Sequence, residues 1–297
     1  MKDKGIITDI QRYSINDGKG IRTVIFFKGC PLRCEWCSNP ETQSITPQVL
    51  FSKMQCIGCM SCHKSCPIEL DLPNNIDHER CTRCQSCVNV CPTGALELVG
   101  KEMTVDAVLH EAEKDRLFYM QGGGITLSGG EVLMQWEFAA AILKKAREVH
   151  HMQTAIETTG FANWDKLWEA AQFCDEILYD IKHMDDATHK RYTGISNEKI
   201  LDNIKKLAKQ VPDKIIIRVP LIEGVNSEKK HIEEIGKLAN QLNIKEVHLL
   251  PYHKFGEPKY QKLGRSYTFE GKTPSNEIVE TDKKVLEDMG IVVKIGG

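Results

Sequence analysis

The sequence predicts an α/β fold, a partial (β/α)6 barrel of the TIM type interrupted by a cysteine-rich insert. Three observations carry this. After Gly100, short β-branched runs alternate with amphipathic helical stretches, the pattern of a parallel sheet with right-handed crossovers. The chemically unusual residues fall at the C-terminal ends of those runs, where parallel barrels place their sites. Eleven of the twelve cysteines lie in three tight clusters between residues 30 and 91. Such spacing reads as metal binding rather than disulfide pairing.

In chain order, Ile6 to Ile10 and Ile21 to Phe27 read as strands on either side of a loop carrying Gly18 and Gly20. Val105 to Asp115 is a helix with Val105, Val108, Leu109 and Ala112 on one face. A strand at Ile125 to Leu127 runs into Ser128-Gly129-Gly130-Glu131, and Trp136 to Val149 is the next helix. The strand Gln153 to Ile156 ends at Glu157-Thr158-Thr159-Gly160, and Asn163 is placed to cap a helix from Trp164 to Phe173. Glu176 to Tyr179 is a strand ending at Asp180-Ile181-Lys182, followed by a helix from Ile200 to Gln210. Lys214 to Val219 is a strand bearing Arg218, and Ser227 is placed to cap a helix through Asn240. The strand Glu246 to Leu250 ends at Pro251-Tyr252-His253. A helix from Asn276 to Met289 then leads into a closing strand at Ile291 to Lys294. The count is six core units, short of the eight of a closed barrel.

An apolar fraction of 41% supports a substantial core, and a formal net charge of −2 gives no reason to expect nucleic acid or an anionic membrane as partner. No apolar run is long enough to span a bilayer, and no apolar stretch of a secretory signal follows Met1-Lys2-Asp3-Lys4-Gly5, so a cytoplasmic protein is expected. Cys174, isolated beside Phe173, reads as a small buried hydrophobe. His150-His151 and the charged segment Glu228 to Glu234 read as solvated helix faces.

The centre of the chain's chemistry is Gly29-Cys30-Pro31-Leu32-Arg33-Cys34-Glu35-Trp36-Cys37-Ser38-Asn39. Soft thiolates at C-x3-C-x2-C spacing suit zinc or an iron–sulfur cluster. With no fourth cysteine in the loop, three thiolates can hold a four-iron cube and leave one iron open to a substrate. The alternative is a zinc site completed by a distant histidine or by Cys174.

Residues 46–100 form an insert, dividing a barrel made of 1–45 and 101–297. Within it Cys56, Cys59, Cys62 and Cys66-Pro67 recur 25 residues later as Cys81, Cys84, Cys87 and Cys91-Pro92. This is the bacterial ferredoxin run, in which the fourth cysteine of each motif ligates the other cluster. The expected sets are Cys56, Cys59, Cys62 and Cys91, and Cys81, Cys84, Cys87 and Cys66. With few bulky apolar residues, such a module depends on metal for its fold. A pair of zinc knuckles is the alternative.

Gly18-Lys19-Gly20-Ile21-Arg22, Phe26, Gly29-Cys30 and Trp36-Cys37-Ser38-Asn39-Pro40 together resemble the activating enzymes of glycyl radical enzymes, a branch of the radical S-adenosylmethionine (SAM) superfamily. The resemblance implies that Cys30, Cys34 and Cys37 hold a catalytic [4Fe–4S] cluster whose fourth iron is chelated by SAM, giving three clusters with the two of the insert. It implies that Ser128, Gly129, Gly130 and Glu131 meet the SAM amino group, Lys182 its carboxylate and His253 its adenine. Trp36, Asn39 and Arg218 match positions near SAM or the active cavity. It places Arg22 and the Gly18–Gly20 loop near the cluster and the protein substrate. Glu157, Thr158 and Asp180 match a site for a monovalent cation beside SAM, although the chain has Glu157 where a relative has Asp.

The implied reaction is reductive cleavage of SAM to a 5′-deoxyadenosyl radical that installs a glycyl radical on a large partner enzyme, pyruvate formate-lyase-like or glycerol/diol dehydratase-like. Flavodoxin or ferredoxin is the implied electron donor, with the insert as relay or docking surface. Two rivals remain at this point: a radical SAM peptide or sulfatase maturase with auxiliary clusters, and a ferredoxin-type electron carrier.

Overall fold

The computed structural model describes residues 3–120 and 122–296. The chain opens with β1 (Lys4–Ser14) and β2 (Arg22–Phe27), which pair antiparallel. The insert holds β3 (Gln48–Phe51), α1 (Ser61–Ser65), α2 (Ser86–Asn89) and β4 (Leu96–Val99). There follow β5 (Lys101–Thr104), α3 (Val105–Glu113), β6 (Gly124–Gly129), α4 (Trp136–Glu148), β7 (Gln153–Thr158), α5 (Trp164–Ala171) and β8 (Glu176–Asp180). The chain continues through α6 (Asp186–Thr193), α7 (Glu198–Ala208), β9 (Ile215–Leu221), α8 (Lys229–Gln241), β10 (Glu246–Pro251), α9 (Glu257–Lys262), α10 (Asn276–Glu287) and β11 (Val292–Ile295).

One mixed sheet runs β11-β10-β9-β8-β7-β6-β2-β1-β5, with every neighbouring pair from β2 to β11 parallel. The six strands β2 and β6 to β10 are the six expected core units. Two antiparallel strands, β1 and β5, extend one edge. Sequence periodicity could place β1 but not its partner, because antiparallel pairing at an edge leaves no mark on either strand's own residues.

Side chains alternate across each strand, and this sheet separates them by chemistry. Ile125, Leu127, Ile156, Ile177, Tyr179, Ile217, Val219, Val247 and Leu249 form one buried apolar layer with the inward residues of α3, α4, α5, α7, α8 and α10. The other face carries Thr126, Ser128, Glu157, Asp180, Arg218 and His248. Asp180 and His248 both register with Arg218. The helices thus cover one face and leave the opposite, polar face for function.

Helix ends follow mixed rules. Thr104, Asp185 and Ser275 accept hydrogen bonds from Ala107, Thr188 and Ile278 as side-chain N-caps. The expected Ser227 cap is not formed: α8 begins two residues later, with Glu228 at the cap position and no side-chain cap bond. Asn163 does precede α5, but its side chain makes no cap bond; its carbonyl accepts from Lys166 and Leu167 instead. Among the described residues no helix is long and apolar enough to cross a membrane.

One buried charge stands out in α10. Asp282 is 2% exposed, and its Oδ2 has no hydrogen-bond partner. Burial pushes its carboxyl up to about 6. Near neutral pH the ion therefore costs stability, about 1.4 kcal/mol per unit of displacement, for about 2–3 kcal/mol in all. Asp282→Asn is expected to raise the thermal midpoint at pH 7.5. Because the folded protein holds this proton above the unfolded pKa, the advantage should shrink as pH falls from 6 toward 4. Anaerobic melts at two pH values check both points.

Candidate active site at the strand ends

The three-cysteine loop leaves the C-terminal end of β2 and is held by backbone bonds from three sides. Gly29 and Cys30 donate to the carbonyls of Thr42 (2.6 Å) and Gln43 (3.1 Å). Arg33 and Glu35 donate to Thr193 and Tyr192 at the end of α6 (2.8 and 3.0 Å), and Glu131 donates to Gly29 (2.8 Å). The Ser128-Gly129-Gly130-Glu131 turn lies directly on this loop. A Cβ on Gly130 would sit 2.3 Å from the Gly29 carbonyl, and one on Gly129 2.3 Å from the Phe27 nitrogen. The two glycines are therefore required for backbone-to-backbone contact between β6 and the cysteine loop.

Burial pushes all three thiols up, Cys34 to about 12, against the opposing pull of Lys182. A bare thiolate is thus disfavoured in this loop, whereas a metal that displaces the proton removes the penalty. Cys174 is fully buried just before β8, at the opposite end of the strands, with its thiol directed to the Ala170 carbonyl at 3.5 Å. It cannot complete a zinc site with this loop.

Lys182 extends from the end of β8 and donates to Asp180 at 2.8 Å. Burial opposes its charge, but Asp180 and then Cys34 outweigh that and hold the ammonium above the ordinary lysine range. The ammonium is therefore within electrostatic reach of the Cys34 thiol. On the neighbouring strands, Arg218 pairs with Glu157, which also accepts from the Ser128 hydroxyl, and Asp17 lies 3.8 Å from the same guanidinium.

Several expected placements are revised. Glu131 is 1% exposed, and its carboxylate accepts from Thr158 Oγ1 (2.6 Å), Thr159 Oγ1 (2.6 Å), Thr159 N (2.9 Å) and Leu133 N (3.1 Å). It clamps the ends of β6 and β7 together, and burial raises its pKa despite those bonds. Of the residues matched to a cation site, Glu157 lies against Arg218, Asp180 accepts from Lys182 and Thr158 donates to Glu131. Arg22 is 1% exposed and lies at the start of β2, away from the cysteine loop, where it donates to Thr126 Oγ1 (3.0 Å) and the Ile125 carbonyl (2.7 Å). It staples strands; Asp17, not Arg22, carries the Gly-rich loop to the polar face.

Trp36 is 7% exposed and packs with tilted rings against Tyr192 and Phe269, centroids 5.9 and 5.7 Å away, so its side chain supports the loop. The Asn39 side chain accepts from Lys259 at 2.6 Å. His253 is exposed after β10 and lies against Phe255, centroids 4.2 Å apart. Gly256, three residues on, has no room for a Cβ because the backbone of Cys37 and Ser38 lies within 3 Å, so the β10 loop rests on the cysteine loop. The charged segment 228–234 is not wholly solvated, since His231 within it is buried.

Residues 24–239 match the Radical SAM superfamily. The chain belongs to that superfamily. Its relatives include the isethionate sulfite-lyase activating enzyme of Oleidesulfovibrio alaskensis, 40% identical over 98% of this chain and 95% of the relative. The choline trimethylamine-lyase activating enzyme of the same organism is 43% identical over 90% of each chain. A solved domain of a pyruvate-formate lyase-activating enzyme from Bacteroides vulgatus superposes with a TM-score of 0.51 at 33% identity, covering 59% of this chain and 100% of that one. Within the Radical SAM superfamily the chain therefore groups with the activating enzymes of glycyl radical enzymes, and that membership implies a [4Fe–4S] cluster and SAM. The donor set fits such a cluster: three soft thiols on one loop, no fourth cysteine in that loop, and a lysine within electrostatic reach of Cys34 and Cys37.

The insert of this radical SAM protein repeats in backbone as well as sequence. Met60 and Gln85, 25 positions apart, are both left-handed (φ 57° and 66°), and each precedes a short helix, α1 or α2. One hollow is lined by Cys56, Cys59, Cys62 and Cys91; another by Cys66, Cys81, Cys84 and Cys87. Each contains the three near cysteines of one motif and the last cysteine of the other. The apolar core between them is small: Val49, Leu70, Leu72 and Leu96, with Cys62 and Cys87.

Residue reading missed two anchors. Lys28, fully buried, donates to the Glu41 carbonyl and to Gln48 Oε1 (3.3 Å), which ties the insert's entry to the end of β2. Lys259 joins α9 to Asn39 and Glu41 (2.6 and 2.7 Å). Neither carries a local signal, because both partners are distant in sequence or supplied by backbone.

Proposed function

We propose that this protein is an activase that uses SAM to install a glycyl radical on a large partner enzyme. The observation that carries it is the C-x3-C-x2-C loop at a parallel strand end with Lys182 beside its thiols. When bound, the cluster supplies one electron to the sulfonium of SAM, giving methionine and the 5′-deoxyadenosyl radical that takes a hydrogen atom from a glycine. The chain's own part is positioning and exclusion of water. Cys30, Cys34 and Cys37 hold the cluster; Lys182 meets the SAM carboxylate; the backbone of Ser128, Gly129 and Gly130 lies against the loop for the amino group; His253, with Phe255, offers an aromatic face to adenine. Glu131 and Arg218 fix the strand ends, and no general base is required.

The same reading makes residues 1–45 and 101–297 a partial (β/α)6 barrel and residues 46–100 a ferredoxin-like module with two further [4Fe–4S] clusters, in the two sets that line the hollows. The position of these cysteines between β2 and β6, rather than after the barrel, disfavours a peptide maturase. A bare electron carrier would have no use for Lys182 at the thiols. The test is anaerobic reconstitution with SAM and reductant: 5′-deoxyadenosine should form, and a candidate glycyl radical enzyme should then show a glycyl radical by electron spin resonance. A loaded protein that forms neither contradicts the activase. Cys56→Ala or Cys84→Ala, with the Cys30 loop intact, should slow SAM cleavage driven by a protein donor. An unchanged rate rejects the relay and leaves the insert a structural role.

A further inference from the structure

Lys182 stands two residues past the end of β8, where the sheet no longer holds the backbone. The last backbone bond from this segment to β9 runs from Ile181 N to the Arg218 carbonyl at 2.9 Å. Beyond it, three consecutive carbonyls are taken by the side-chain amides of two buried asparagines. Asn226, fully buried in the turn between β9 and α8, donates from Nδ2 to the Lys182 carbonyl at 3.0 Å. Asn197, 3% exposed, donates to the carbonyls of His183 (3.0 Å) and Met184 (2.7 Å). The His183 ring stacks on the buried ring of His231 in α8, centroids 4.5 Å apart.

A proline ends the ladder. In this parallel register the next bond would run from residue 220 to the Ile181 carbonyl, and Pro220 has no N–H to give. Asn226 supplies a side-chain link in its place. The Nδ2 that meets Lys182 also donates to the Pro220 carbonyl at 2.5 Å, and Oδ1 accepts from Ile222 N at 2.7 Å. One amide therefore joins both strand ends. Its orientation follows from its partners, since two carbonyls face one atom and a single N–H faces the other. A lysine ammonium rides on a flexible four-carbon stem, so the anchoring of its backbone decides where it can reach. Here the stem leads to Asp180, which accepts from Nζ at 2.8 Å.

We propose that Asn226 is a positioning residue for Lys182: by bridging the Lys182 and Pro220 carbonyls it fixes the backbone from which the ammonium reaches the SAM carboxylate. This rests on the reading of Lys182 as the carboxylate contact. Asn226 is fully buried and its amide is engaged by three backbone groups, which leaves it nothing to offer SAM directly. Its effect on SAM therefore passes through Lys182 and cannot exceed the effect of removing the ammonium itself. Residues that act through one another show non-additive effects, whereas independent ones add.

The test is a double-mutant cycle on the anaerobic, cluster-loaded protein, with SAM affinity read by equilibrium dialysis and iron content checked in each variant. Asn226→Ala should weaken SAM binding about fivefold or more in the wild-type background, and by less than about twofold in the Lys182→Met background. Thermal midpoints should fall alike in both backgrounds, because the three backbone partners lose the amide whether or not the lysine is present. A purely structural role moves the midpoint and leaves no such coupling in affinity. Asn226→Ser, whose hydroxyl still serves one of the three partners, repeats the cycle if the alanine variant does not fold, with a smaller loss of the same pattern. Wild-type affinity in the Asn226 variants, or the same fold-loss in both backgrounds, overturns the positioning role. Wild-type affinity in Lys182→Met alone overturns instead the SAM contact of Lys182, and the positioning role falls with it.

Discussion

Replacing Cys34 with alanine will abolish SAM cleavage while leaving the iron of the insert in place. The loop that carries Cys34 is fixed by backbone bonds to Thr193, Tyr192, Thr42 and Gln43, none of which uses the thiol. The fold around it should therefore survive, and only one of three cysteine sets is lost. The insert has its own hollows and its own small core. Iron and sulfide should fall by one cluster's share, and 5′-deoxyadenosine formation should drop to background. Cys174→Ala, by contrast, should lose no iron, because that thiol is buried at the other end of the strands. Loss of iron in the Cys174 variant would revive a fourth protein ligand and defeat the open-iron arrangement.

Lys182→Met should give the second largest effect, this time on SAM binding. The ammonium donates to Asp180 at 2.8 Å and is within electrostatic reach of the Cys34 thiol. A charge-assisted hydrogen bond from such a group to a ligand carboxylate contributes about 1.5–3 kcal/mol, so affinity for SAM should fall about 10- to 150-fold. Removing the cation also leaves Asp180, a half-buried carboxylate, facing the SAM carboxylate without a counter-charge, which pushes toward the upper end. Lys182→Arg should recover part of the loss, since it restores charge but not shape. Equilibrium dialysis of SAM against the cluster-loaded variants measures this. An unchanged affinity in Lys182→Met would remove the lysine from the SAM site.

What the sequence made legible follows the physics of parallel strands. Ile125, Leu127, Ile217 and Val219 announce buried strands, and a parallel sheet sends every such strand toward the same edge. Asp180-Ile181-Lys182 and the Cys30 loop could thus be placed together before any coordinates. The repeat of Cys56–Cys66 at Cys81–Cys91 suggests two cysteine sets that exchange their last members, and two hollows are lined by those residues. α6 was not legible, because it buries mainly His189 and Thr193 and so lacks an apolar stripe. The partners of Glu157 and Asn39 were not legible either. Arg218 and Lys259 reach them across the fold, and nothing near either residue in sequence encodes that distance. Glu131 was legible only in part: its place at a Gly-rich strand end is written in the sequence, but the four internal donors to its carboxylate are not.

The most direct measurement is electron–nuclear double resonance of the anaerobically reduced protein with SAM labelled by nitrogen-15 at its amino group. Because Cys30, Cys34 and Cys37 supply only three thiolates and their loop holds no fourth cysteine, the expected result is a hyperfine coupling between the cluster spin and that nitrogen, absent without SAM. A spectrum that SAM leaves unchanged, in protein shown to hold a four-iron cluster on this loop, would contradict an iron kept open for substrate.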